Sequence, residues 1–163
     1  MKRESIRAIA PLQSWDIFSE FLMKDRLLQS KENDIAQIEI FKNRYNWSLA
    51  STFLKHESYT TLVITNYDQH IIWVNAGFSE MTGYPKSYAV GKHPRFLQGK
   101  NTSPETRKDI SAKITKHEIV HKQLINYRKD GSEYVCDIKI IPLRNNSDEI
   151  THFIALERTL RSA

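Results

Sequence analysis

Gly91-Lys92-His93-Pro94-Arg95-Phe96-Leu97-Gln98-Gly99 lies between two segments whose local structure is legible. Upstream, residues 76–84 read as a short helix that stops near Gly83 and Pro85. Downstream, Ser103, Pro104 and Glu105 make a helix start: a cap, a proline at the first helical position and an acid in the first turn. Ile110 and Ile114 give that helix its inward face. Further out the period becomes strand-like. Residues 62–65 and 70–75 flank the polar connection Asn66-Tyr67-Asp68-Gln69, as in a hairpin. Residues 119–127 and 134–142 form two strands joined through Asp130-Gly131, and residues 150–159 form a last one. Five strands with short helices on one face predict an α+β fold built on an antiparallel sheet.

Residues 1–56 form a helical extension, and residues 57–160 the domain proper. Ser14 is placed to cap a helix, with Asp16 in its first turn. Trp15, Phe18 and Leu22 follow at three- and four-residue spacing. The pattern lapses into polar residues over 30–34, which predicts a turn or weak point. It resumes as a heptad-like stripe: Ile35, Ile38, Phe41, Tyr45, Leu49, Phe53. A lone amphipathic helix leaves such a stripe wet, so it must dock, on its own sheet or on a second chain.

Bulk properties narrow the class. The chain has 163 residues, 40% of them hydrophobic and 26% charged, which fits one globular domain plus an extension. No apolar run approaches the ~20 residues of a membrane helix. Residues 1–5 lead into no signal-type apolar core, so the expected location is the cytoplasm. The one cysteine, Cys136, excludes an internal disulfide and a cysteine-built metal site. The net charge of +5 is uneven: residues 86–129 hold eleven Lys/Arg against Glu105, Asp109 and Glu118, leaving −3 for the remainder. Scattered charges with little aromatic interleaving describe a solvated surface better than a nucleic-acid face.

The opening stretch resembles the signature of LOV domains, the blue-light-sensing branch of the PAS family, which reads Gly-x-Asn-Cys-Arg-Phe-Leu-Gln-Gly. Gly91, Arg95 and Phe96-Leu97-Gln98-Gly99 agree with it. His93 replaces the Asn. Pro94 replaces the cysteine that bonds the excited flavin, and proline has neither a thiol nor a backbone N–H. Thr61-Leu62-Val63-Ile64-Thr65-Asn66 resembles the opening PAS strand, residues 70–84 its second strand and first short helix, and Asn126-Tyr127-Arg128-Lys129-Asp130-Gly131 its later hairpin. The resemblance spans residues 60–160 and implies a PAS fold.

It also implies a pocket. Arg95 matches the arginine that holds the flavin phosphate, Gln98 the glutamine near the ribityl chain, and Asn126 one of two asparagines at the polar edge of the ring. Cys136 stands at the second asparagine, and a hairpin centred on Gly131 would set it opposite Asn126. Strand alternation puts Tyr134, Cys136, Ile138 and Ile140 on the inward face, with Asp137 and Lys139 outward. Glu157 shares a face with Phe153 and Ala155, and matches the glutamine that relays the signal. As a carboxylate it would only accept hydrogen bonds, and its burial would be costly unless it were paired or protonated; the alternative is a strand-end Glu that reaches solvent. The second phosphate-binding arginine maps to Ser111, and Arg107 and Lys108 would replace it only if the loop shifted. Each lost bond costs on the order of 1–3 kcal/mol. The ligand is therefore unknown, and the losses weigh against flavin mononucleotide. His117 and His121 read as surface residues, and no metal or catalytic residue is expected.

These residues predict a non-enzymatic sensory or interaction module, dimeric through its N-terminal helices and read by an unidentified signalling protein. One alternative is a flavin-bound redox or light sensor working without the adduct. The other is a nucleic-acid-binding regulator using the basic segment.

Overall fold

Runs of β-branched and aromatic residues between short polar turns build the sheet. The structure, a computed structural model, describes residues 12–160, with side chains from Asp16 onward; the opening residues 1–5 and the side chains of Ser14 and Trp15 lie outside what it describes. The strands are β1 (Thr61–Asn66), β2 (Ile71–Val74), β3 (Val120–Tyr127), β4 (Glu133–Arg144) and β5 (Ile150–Leu160). Their order is β2-β1-β5-β4-β3, and every neighbouring pair is antiparallel. Strand alternation gives the sheet two apolar faces. Val63, Phe153 and Ala155 pack with Phe78 of α2 (Ala76–Thr82), Ala89 of α3 (Lys86–Ala89) and Ile114 of α4 (Pro104–Thr115). Leu62, Ile64, Ile154 and Leu156 face the other way. The α+β fold is as the sequence predicts.

Both short helices end and begin as their residues dictate. Gly83 closes α2 at φ 75°, a left-handed position that suits glycine. Ser103 caps α4 by accepting from the Thr106 N–H, with Pro104 at the first helical position.

The N-terminal segment departs from the expectation in three ways. One helix, α1 (Leu12–Tyr45), runs unbroken, so Ser14 lies inside it and does not cap it. The polar stretch at 30–34 is no turn. Asp34 is buried there, accepting from Asn75 Nδ2 at 3.0 Å, while Asn75 Oδ1 accepts from the Leu62 N–H at 3.0 Å. Burial pushes the Asp34 carboxyl above its ordinary value, and the Asn75 bond partly offsets this. The stripe also stops being helical at Tyr45, because Asn46 turns left-handed at φ 55°. Trp47 then bridges to Asn145, and Leu49 and Phe53 pack from the segment beyond. Ile35, Ile38, Phe41 and Tyr45 dock on the outer face of the chain's own sheet. Phe18 and Leu22, earlier in the helix, are exposed within the single chain.

The β3–β4 hairpin corrects a register. Asn126 faces Tyr134, and Cys136 faces Leu124, so Asn126 and Cys136 are not opposite. The turn is centred on Asp130. Arg128 N–H donates to the Ser132 carbonyl, Gly131 N–H donates to the Arg128 carbonyl, and Gly131 sits at φ 83°. This is a three-residue loop with glycine in the left-handed position, a geometry composition alone does not distinguish from a shorter turn.

Candidate functional site

Between the inner sheet face and the segment Pro94–Leu97 with α4 lies a cavity of about 100 Å³. Its walls are mainly apolar: Leu124, Ile138, Ile140, Phe153 and Ala155 from the sheet, Ile110 and Ile114 from α4. Asn126, Thr65 and Glu157 supply polar groups from three strands. Buried side-chain oxygens of Asn126 and Thr65 have no hydrogen-bond partner. Buried polar groups are normally paired, so two such atoms on one cavity wall mark a place for a ligand or water.

An outer groove of about 330 Å³ adjoins it, sharing Gln69, His93, Arg95, Gln98, Ile110 and Ile114. Arg107, Lys108 and Ser111 line the groove only. Arg107 and Lys108 thus line the same groove as Arg95. Their convergence depends on the phase of α4 against the cavity, which helical spacing alone does not reveal. His93 holds Arg95 in place: its Nδ1 accepts from the Arg95 N–H at 3.1 Å and from Nε at 3.3 Å. Burial, then the Arg95 charge, lowers the pKa of His93 and favours the neutral ring that can accept. Pro94 lines the cavity.

Glu157 is 4% exposed and does not reach solvent. Burial raises its carboxyl to about 7, while a bond from Cys136 Sγ at 3.6 Å acts in the opposite direction. The protonated acid both donates and accepts, as a glutamine would. Cys136 is fully buried but is not part of the cavity wall, so its predicted place there is corrected: its thiol is spent on Glu157. Burial, then the Glu157 charge, pushes that thiol far above the ordinary range, and the same two causes act on the Tyr134 phenol. A buried thiol of this kind is inert.

The remaining residues singled out from sequence lie elsewhere. His117 stands beside Tyr67, its Nε2 3.4 Å from the phenol oxygen. His121 pairs with Asp137 at 3.2 Å, and Arg158 also binds Asp137, at 2.9 Å. Asp137 is therefore buried although its strand position points away from the inner core. Among the described residues no group of three His, Cys, Asp or Glu is placed to hold a metal. No described helix is long and apolar enough to cross a membrane. Thr65 and Gln69 were missed in the sequence. The alternation of β1 puts Thr65 on the same face as Val63, a signal that was available.

Residues 59–158 match the family profile described as a PAS domain. The chain belongs to the PAS domain family. Within it, the PAS segment is 33% identical over 100 residues to the blue-light-activated histidine kinase 2 of Erythrobacter litoralis, covering 61% of this chain and 29% of that protein. It is likewise 33% identical over 100 residues to a blue-light photoreceptor of Listeria innocua, covering 60% of this chain and 39% of the relative. The chain thus spans well under half the length of either. Among solved structures, the light-state LOV domain of the blue-light photoreceptor Aureochrome1 superposes with a TM-score of 0.63 at 28% identity, over 68% of this chain and 88% of that one.

The LOV resemblance implies flavin mononucleotide, and the residues present fit it only in part. Small-molecule sites measure about 300–1,000 Å³; the inner cavity alone is about 100 Å³, and the space enters that range only together with the adjoining groove of about 330 Å³. One asparagine, Asn126, lines it where the resemblance implies two. The anionic end is better served, by Arg95, Arg107 and Lys108 on the groove.

Proposed function

We propose that this chain is a non-enzymatic sensory or signalling module, LOV-like in fold but without cysteine-adduct chemistry. Residues 1–56 act as a docking and dimerisation extension, and residues 57–160 as the ligand-responsive PAS domain. Its setting is cytoplasmic and its output an unidentified signalling protein. The observation that carries this is the pairing of Pro94 on the cavity wall with a sole cysteine, Cys136, whose thiol is bonded to Glu157 beneath it. A proline supplies no nucleophile, and the one thiol present is buried and held protonated.

Arg95, Gln98, Asn126 and Glu157 are the residues through which the cavity would sense its ligand, with His93 positioning Arg95. Ligand binding changes the sheet's inner face, and α1 lies on the outer face of the same strands. A ligand with different affinity for two sheet arrangements would shift the population that a partner meets.

The deciding experiment is an absorption spectrum of freshly purified protein in darkness and after blue irradiation, with mass spectrometry of whatever denaturation releases. The expected result is no flavin band and no light-induced change. A flavin band that bleaches reversibly with formation of a covalent adduct would falsify the proposal. A second reading, flavin held without an adduct, draws on the unpartnered Asn126 oxygen and the basic groove. It requires a flavin band that responds to reduction but forms no adduct.

A further inference from the structure

The cavity and groove together have a polarity that a ligand must match. The chamber has room for no more than a single aromatic ring: an engineered apolar cavity of about 150 Å³ takes benzene, and this one measures about 100 Å³. On the cavity side stand the unpartnered oxygens of Asn126 and Thr65, each residue more than nine-tenths buried. An amide oxygen only accepts, so Asn126 lacks a donor. On the groove side stand three cations with no carboxylate among the groove residues.

We infer that this site takes a compact amphipathic anion, a single apolar ring whose hydrogen-bond donor meets Asn126 and whose carboxylate meets Arg95, which lines both cavity and groove, with Arg107 and Lys108 adding positive charge from the groove. The inference rests on the adduct-free reading above, and names its ligand class. Glu157, the one acid on the cavity wall, does not oppose such an anion while it keeps its proton, which burial favours up to about pH 7. Arg95 Nε donates to His93 and its Nη2 lies 3.4 Å from His93 Nε2, which leaves Nη1 for a carboxylate. Thr65, whose hydroxyl both donates and accepts, can serve the same ring substituent from β1.

The test is isothermal titration calorimetry of the whole chain at pH 6 with 4-hydroxybenzoate, benzoate, phenol and flavin mononucleotide. 4-Hydroxybenzoate is expected to bind tightest. Benzoate, which leaves Asn126 unpaired, should bind on the order of ten- to a hundredfold more weakly. Phenol should bind weakly and without salt dependence, whereas 4-hydroxybenzoate should weaken as salt rises. Arg107→Glu lies on an exposed helical face, and should weaken 4-hydroxybenzoate binding and reduce its salt dependence while leaving thermal unfolding unchanged. Asn126→Leu should erase the preference for 4-hydroxybenzoate over benzoate. Equal binding of the two acids, or no binding of either, overturns the ligand class and leaves the adduct-free reading standing. Tight flavin binding overturns the ligand class, and the irradiation experiment then decides the adduct separately.

Discussion

Replacing Glu157 with glutamine should stabilise the protein at alkaline pH and make little difference in acid. The side chain is buried on the cavity wall, with a carboxyl raised by burial from an ordinary 4.5 to about 7. The folded chain therefore holds a proton that the unfolded chain releases. Where the native state binds more protons, stability falls as pH rises. The fall begins near 4.5 and is complete above about 7. At about 1.4 kcal/mol per pH unit over that window, its full size is about 3 kcal/mol. Glutamine keeps the shape and the donor and acceptor of the protonated acid, and never ionises. Glu157→Gln and the parent should match near pH 4.5 and diverge to about 3 kcal/mol by pH 8. For a chain of this size that is about 6–12 °C in melting temperature. Urea and thermal unfolding of both proteins at half-unit steps of pH measures it. Titrations common to both cancel in the difference. Parallel stability curves, with a gap that does not change between pH 4.5 and pH 8, would refute the buried-acid assignment.

Three further substitutions test the frame around the site. Gly77→Ala drives its new methyl group into the Thr60 carbonyl oxygen, and should lower the unfolding free energy measured in urea by about 1–3 kcal/mol or more. Gly131→Ala meets no atom within 4 Å but keeps φ at +83°, so its cost should be pure backbone strain, about 1–2 kcal/mol, with the hairpin register retained by amide exchange. Ile38→Ala removes a buried contact between α1 and the outer sheet face, and should cost about 2–5 kcal/mol in global unfolding if α1 folds with the sheet. Unfolding of α1 by itself, seen as early loss of helical signal, would show the docking to be separable.

The sequence made the sheet legible because strand periodicity, the Gly83 stop and the Ser103-Pro104 start are local signals that the tertiary structure does not overrule. The face of α1 was equally legible from Ile35, Ile38, Phe41 and Tyr45. Its continuity was not. Asp34 looked like part of a polar break, and only Asn75, more than forty residues away, explains why a carboxylate sits inward there. The hairpin register escaped because Lys129-Asp130-Gly131 fits more than one turn length, and a shift of one residue in the centre moves the partner of Asn126 by two. The site was half legible. Arg95, Gln98, Asn126 and Glu157 do line one space, whereas the distance of Cys136 from it and the approach of Arg107 and Lys108 depend on helix phase and strand pairing.

The sealing of Cys136 has a practical side. A chain whose sole thiol is fully buried and bonded to an acid reacts with thiol reagents only as fast as it opens, far more slowly than a surface cysteine. Any cysteine introduced on α1 or at the groove rim would carry a spin or fluorescent label alone, without prior removal of a native residue. The native thiol is then a reporter in its own right: alkylation of Cys136 in the folded protein would time how often the sheet's inner face opens, and a ligand that closes the chamber should slow it.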